Sequence, residues 1–259
     1  MSNAAPSPKI TLYGLPISHP VRAAREMLDY KDLTYKRIDL INGLHAGMLR
    51  ALGFPHGTAP AMKIDGRKVQ GTLAISRELD RVRPEPPLFP SDTAQRAAVV
   101  EAERWGEREL QPIARMIAIS AFGRDASTLP EFMADAALPV QLPPRVVVAM
   151  SKPLALIQRH RHSAGDEASR AAIARLPAAL DHVEQLLDAG VIGGEQPNAA
   201  DFQIATSVRV LLVFDDLRPL IDQRRAAQYA RSLVPDYAGH IPAVLPDGWL
   251  EPLRLSIPA

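Results

Sequence analysis

The sequence changes character at a cluster of four prolines. Residues 84–93, PEPPLFPSDT, hold Pro84, Pro86, Pro87 and Pro90. Proline fixes φ and cannot donate to a helix or sheet, so such a run is a stiff connector rather than part of an element. Before it the chain alternates between β-prone and helical patterns; after it almost every signal is helical. The division predicts an α/β domain over 1–83, a linker over 84–93 and an all-α domain over 94–259. A chain of 259 residues is long enough for two such cores.

In the first part, Ile10 to Tyr13 is a β-prone run closed by Gly14-Leu15-Pro16. Ser18 precedes Pro20, and Val21, Ala24 and Leu28 follow at helical spacing, the signature of a helix start. Leu33 to Leu40 alternates as a second strand, and Leu44 to Leu52 is a weaker helical pattern. Ala61–Ile64 and Lys68–Gln70 flank Asp65-Gly66, a hairpin pair, and Thr72 opens a helix carrying Leu73, Ile75 and Leu79. The order β-α-β-α-β-β-α makes the first two strands parallel and adds an antiparallel edge.

Beyond the prolines, residues 94–121 form a long helical pattern in which Pro112 is expected to kink or break the helix. Residues 123–150 read as irregular, and 151–163 and 167–188 as helices. Asn198 with Asp201 three residues on is a capping signal. The run Phe202 to Phe214 that follows is apolar nearly all round, which predicts a buried central helix. Residues 218–233 read as one last helix, and the tail as irregular chain laid over the surface.

Composition narrows the chemistry. There is no cysteine, so disulfides, thiolate zinc sites and a cysteine nucleophile are ruled out, and any thiol must arrive with a substrate. No apolar run reaches the roughly 20 residues of a membrane span. The start, MSNAAPSPK, lacks the apolar core of a signal peptide, so a cytoplasmic protein is expected. His160 and His162, two apart on a helix, face different ways and make no metal site. The net charge of +1 hides an asymmetry: residues 1–83 carry 13 Lys/Arg against 7 Asp/Glu. That basic front suits a small anionic ligand. No basic run of the length that marks nucleic-acid binding occurs.

Three stretches, "TLYGLPISHPVRAAREML", "GTAPAMKIDGRKVQGTLAISREL" and "QPNAADFQIA", occur in that order and resemble the cytosolic glutathione S-transferases of the serine type. The similarity covers residues 9–83 closely and 94–233 by pattern. It implies a thioredoxin-like N-terminal domain that binds a thiol and an all-helical domain that binds the acceptor. It also implies a homodimer, glutathione as thiol co-substrate, no metal, and a detoxification-type attack on an electrophilic small molecule. In the family the proline matching Pro60 is cis, and Ala59 would pair strand-like with the peptide of glutathione. Thr72 matches the residue at a helix start that holds the γ-glutamyl carboxylate, and His45, with Arg50, lies on the segment that helps hold the glycyl carboxylate. Ser18 matches the hydroxyl that hydrogen-bonds the sulfur; Tyr13 is the alternative donor. For Ser18 and Thr72, simple helix capping stays open beside these roles.

The sequence also departs from the family. Gly71 stands where Glu or Gln is usual, and Thr58 replaces a Gln two residues before the proline. Glutathione would then be held through backbone and helix end. Another thiol, or a non-catalytic ligand- or partner-binding role, remains open. On the acceptor side the candidates are Trp105, Arg108 and Met116.

Overall fold

The computed structural model describes residues 7–125, 127–133, 136–138, 153 and 165–256. The alternation in the first run makes strand β1 (Ile10–Gly14), which buries Ile10, Leu12 and Gly14 on one face. β1 pairs in parallel with β2 (Tyr35–Asp39), Ile10 opposite Tyr35. On its other side it pairs antiparallel with β3 (Ala61–Ile64), Leu12 opposite Met62. β3 continues into β4 (Arg67–Gln70) through Asp65 at φ 46° and Gly66 at φ 86°, two positive values as a two-residue turn of that hand requires. The sheet order is β2-β1-β3-β4. The parallel pair and antiparallel edge are those expected.

Three helices complete this thioredoxin-like domain: α1 (His19–Tyr30), α2 (His45–Ala51) and α3 (Thr72–Val82). The helical region contributes α4 (Thr93–Trp105), α5 (Gln111–Arg124), α6 (Leu129–Phe132), α7 (Asp166–Asp188) and α8 (Ala199–Leu211). Then come α9 (Arg218–Ile221), α10 (Arg225–Leu233) and α11 (Glu251–Arg254). α8 is the central helix predicted, buried on nearly every side and closed by a capping box. Asn198 Oδ1 accepts from the Ala200 N–H at 2.9 Å, and Asp201 Oδ2 accepts from the Asn198 N–H at 2.8 Å. α1 packs on α3 and on α8, so one core runs through both regions.

The proline connector is fastened rather than free. Lys31 is fully buried, and its Nζ donates to Asp80 Oδ1 at 3.0 Å and to the carbonyls of Arg83 and Pro86 at 2.6 and 2.7 Å. Leu88 and Phe89 are buried, and the Leu88 carbonyl accepts from the Ala199 N–H at 2.9 Å. Each of these donors and acceptors is satisfied inside the protein, which a buried connector requires.

Several expectations are corrected. The interruption expected at Pro112 falls just before it. One π-helical turn, Gly106–Leu110, joins α4 to α5, and the Gln111 N–H bonds the Gly106 carbonyl five residues back. Pro112 then sits in the first turn of α5, where its missing donor costs little. Gly106 also permits a close helix crossing, since a Cβ there would lie 3.0 Å from Gln203 Cγ and from Ile204 Cγ1. The single helix expected over 218–233 is two, α9 and α10, because Arg224 is extended and reaches α7. Its Nε donates to Glu184 Oε1 at 3.0 Å, and it also pairs with Asp181. The tail is pinned rather than laid on the surface: Leu245, Leu250 and Leu253 are buried, and Asp216 Oδ2 accepts from the N–H groups of Val244 and Leu245. The helix expected over 151–163 and much of 123–150 lie outside the described residues.

Candidate active site

A cleft of about 500 Å³ opens between the first domain and α5. One wall holds Ser18, His45, Thr58, Ala59, Pro60, Gly71 and Thr72. Ser18, His45, Ala59, Pro60, Gly71 and Thr72 therefore share one cavity, which Arg50 does not line. The other wall holds Glu107, Arg108, Gln111 and Arg115, with Ile119, Phe122 and Leu129 beyond them.

Ser18 is the N-cap of α1, half-buried and extended at φ −77°, ψ 111°. Its side chain makes no capping hydrogen bond. Only the backbone engages the turn: the Ser18 N–H donates to the Leu15 carbonyl at 3.0 Å, and the Ser18 carbonyl accepts from the Arg22 N–H at 2.9 Å. The hydroxyl is therefore not committed to the helix. Tyr13, the alternative donor, is not among the cleft residues; its ring meets Phe54 edge-on with centroids 5.6 Å apart.

The Ala59–Pro60 bond is cis. The Pro60 carbonyl accepts from the Gly71 N–H at 2.9 Å, whereas the N–H and C=O of Ala59 make no hydrogen bond among the described residues. An extended ligand lying along Ala59 would satisfy both. Gln70, which sequence reasoning passed over, braces this bend. Its Nε2 donates to the carbonyls of His56 and Thr58 at 2.8 and 2.6 Å, and its Oε1 accepts from the His56 N–H at 3.0 Å.

The capping reading of Thr72 needs correction. Gly71 is the N-cap of α3, and Thr72 is the buried first residue of the helix. Gly71 sits at φ 89°, ψ 149°, a conformation that glycine alone takes without strain. The N–H groups of Thr72, Leu73 and Ala74 have no acceptor within the helix, and the Ile75 N–H is the first to bond back, to Gly71. Such an end attracts a carboxylate. A Cβ on Gly71 would meet nothing within 4 Å, so the space beside that end is open.

His45 opens α2 and is buried at the cleft, joined there by Asn42, which the sequence did not single out. Arg50, on the same helix, is exposed and not among the cleft residues. His19 is only 4% exposed. Burial first, and the charge of Arg115 second, push its imidazole down to about 3, so it is neutral. On the acceptor wall, Arg108 lines the cleft but Trp105 and Met116 do not. Trp105 meets His182 with ring centroids 4.3 Å apart, and Met116 packs on the core. Glu107, Gln111, Arg115 and Ile119 recur every four residues, one face of a helix. That periodicity was the available signal for this wall. Burial raises the Glu107 carboxyl and lowers the Arg115 guanidinium from their ordinary values.

Among the described residues no cluster of His, Asp or Glu is arranged to hold a metal, and no helix is long and apolar enough to cross a membrane. The arrangement can seat an anionic head on the α3 N-terminus, pair an extended backbone with Ala59 and present a hydroxyl where α1 begins.

Comparison with known proteins matches residues 12–87 to the family described as "Glutathione S-transferase, N-terminal domain". A curated relative, "Probable maleylacetoacetate isomerase 1" of Drosophila melanogaster, is 32% identical over 73 residues, which is 28% of this chain and 30% of that protein. Among solved structures, a Tau class glutathione S-transferase from mango, Mangifera indica, superposes with a TM-score of 0.60 at 17% identity, over 95% of this chain and 96% of that one. A glutathione S-transferase from Rhodospirillum rubrum F11 gives 0.58 at 19% identity, over 94% and 99%. At those identities the structural likeness is one of fold.

Proposed function

From an N-terminal domain that belongs to the glutathione S-transferase family, within a chain that has the two-domain fold of those proteins, we propose an enzyme that binds a thiol and directs it at an electrophilic small molecule. The observation that carries this reading is the uncommitted Ser18 hydroxyl at the α1 N-terminus, in the same cleft as Ala59 and the α3 N-terminus. A free thiol ionises near pH 8.5, and a hydroxyl donor together with a helix N-terminus favours the thiolate. Ser18 would donate to the sulfur and would not itself be acylated. The sulfur–carbon bond forms as the leaving group departs, and the thiol proton passes to solvent.

Glutathione suits the first wall in two respects. Its peptide can pair with Ala59, and its γ-glutamyl carboxylate can sit on the first turn of α3. A second reading, a thiol other than glutathione, is favoured by one observation: the space beside Gly71 is open, so no side chain there meets a γ-glutamyl group. Calorimetric titration of the full chain with glutathione separates them. Saturable binding at one site per chain supports the first reading. Absence of binding, with heat released by another low-molecular-weight thiol, supports the second. A protein that binds no thiol is a non-catalytic member of the fold.

A further inference from the structure

We infer that the acceptor wall is built for an electrophile that carries a carboxylate, and that Arg115 is the residue selecting it. The inference deepens the transferase reading and rests on it for the identity of the site. Arg115 lies on α5, half-buried, and lines the cleft. Among the described residues its guanidinium makes no hydrogen bond and no ion pair. Glu107 acts on it as a nearby charge but not as a salt-bridge partner. A partly desolvated cation without a counter-ion is unfavourable, and a bound anion removes that cost. A guanidinium also presents a planar fork that matches a carboxylate in two parallel hydrogen bonds.

The surroundings point the same way. Arg108 lies on the same wall, so two guanidinium groups face one carboxylate, that of Glu107. His19, which is close enough to feel the Arg115 charge, is neutral and adds no competing cation. Gln111 is partly committed elsewhere, because its Oε1 accepts from Gln203 Nε2 at 2.7 Å. One and two turns beyond Arg115, Ile119 and Phe122 provide an apolar surface within the same cleft. At 1.5 Å rise per residue Phe122 lies about 10 Å along the axis from Arg115, the length of a substituted aromatic ring. The wall thus fits an apolar body with an anionic end.

The test uses matched probes with the full-length protein. Equilibrium binding of meta-dinitrobenzoate and of meta-dinitrobenzene, whose nitro groups do not activate each other for displacement, is measured by calorimetry without added thiol. Turnover with glutathione is measured for the corresponding chloro compounds. The wild type is expected to bind the benzoate about tenfold or more tightly than the neutral ring, the worth of one charge-assisted contact. Arg115→Met should erase that preference, Arg115→Lys should restore part of it, and Glu107→Gln should increase it. In turnover, the ratio of kcat/KM for the anionic over the neutral substrate should fall about ten- to hundredfold in Arg115→Met. If the wild type shows no preference, or the preference survives Arg115→Met, the inference is wrong. Turnover of the neutral compound without anion preference leaves the transferase reading intact and sinks this one. Arg115-dependent binding of the benzoate without turnover does the reverse. Should Arg115→Met misfold, Glu107→Gln and Arg115→Lys carry the same comparison, and a benzoate preference unmoved in both overturns the inference.

Discussion

The Ser76 hydroxyl donates to Glu103 Oε1 at 2.6 Å, joining α3 of the first domain to α4 of the helical region through a carboxylate with no exposed surface. Arg77 completes the contact as an ion pair. Burial nevertheless dominates, and it holds the Glu103 carboxyl above its ordinary range against the pull of Ser76 and Arg77. An acid whose folded value is raised favours folding below its unfolded value and loses that contribution as pH rises through the folded one. Glu103→Gln should therefore match the wild type in acid and gain on it as pH rises past that range. Denaturant melts of both proteins from pH 4 to pH 8 read the difference, and a gap that narrows with rising pH would show that the ion pair outweighs burial.

His19 titrates in the opposite sense. Its folded value of about 3 lies below the ordinary 6.5, so between those limits the unfolded chain binds a proton that the folded chain does not. Stability should fall as pH drops through this window, with a slope of about 1.4 kcal/mol per pH unit from this group. His19→Gln should flatten that limb of the profile. An acid limb equally steep in the variant would mean that His19 is solvated and charged.

Ser18→Ala should lower turnover about ten- to hundredfold and raise the thiol pKa in the complex, with thiol affinity nearly unchanged. The hydrogen bond strengthens as sulfur gains charge, so its loss falls on the ionised state. Because the hydroxyl makes no capping bond, the change should cost only a few tenths of a kcal/mol rather than the ~1 kcal/mol of a lost cap. Tyr13→Phe should do little by either measure. Thiolate absorbance of the bound complex against pH decides the matter: a titration unmoved by Ser18→Ala but shifted by Tyr13→Phe would reassign the donor.

Gly71→Gln pits two effects against each other. The left-handed φ of 89° makes any side chain there strained, by about 1–3 kcal/mol. The space beyond is open, so the carboxamide has room to reach a γ-glutamyl group. The variant should melt earlier yet bind glutathione about three- to tenfold more tightly, the worth of one added hydrogen bond. Unchanged or weaker glutathione binding in a folded variant would speak for a different thiol.

A homodimer is expected from the family. Light scattering at micromolar concentration should give twice the mass of one chain, and a single-chain mass across that range would remove the expectation.

What was legible in the sequence was local. The Asp65-Gly66 turn, the Asn198–Asp201 box and the Ser18-Pro20 start each draw their geometry from residues within a few positions, and each is found as expected. What was not legible depends on partners far along the chain. The break at Arg224 is set by Asp181 and Glu184, some 40 positions earlier. The tail is pinned by Asp216, nearly 30 positions away. In the site, the wall supplied by the first domain followed from family resemblance. On the opposite wall the sequence indicates Arg108, which lines the cleft, but also Trp105 and Met116, which pack elsewhere; the polar period through 107, 111 and 115 is the signal that places the rest.

The π turn at Gly106–Leu110 sets an angular phase. Such a turn carries one residue more than an α-helix needs for the same advance, and each residue of an α-helix subtends about 100°. Everything downstream is thereby rotated relative to α4. A chain shortened by one residue within 106–110 would keep the cap of α4 and its core periodicity. It would also turn Arg115 and Phe122 away from the cleft and bring a neighbouring set of side chains round to face it. The five residues between the two helices thus set which side chains of α5 face the cleft.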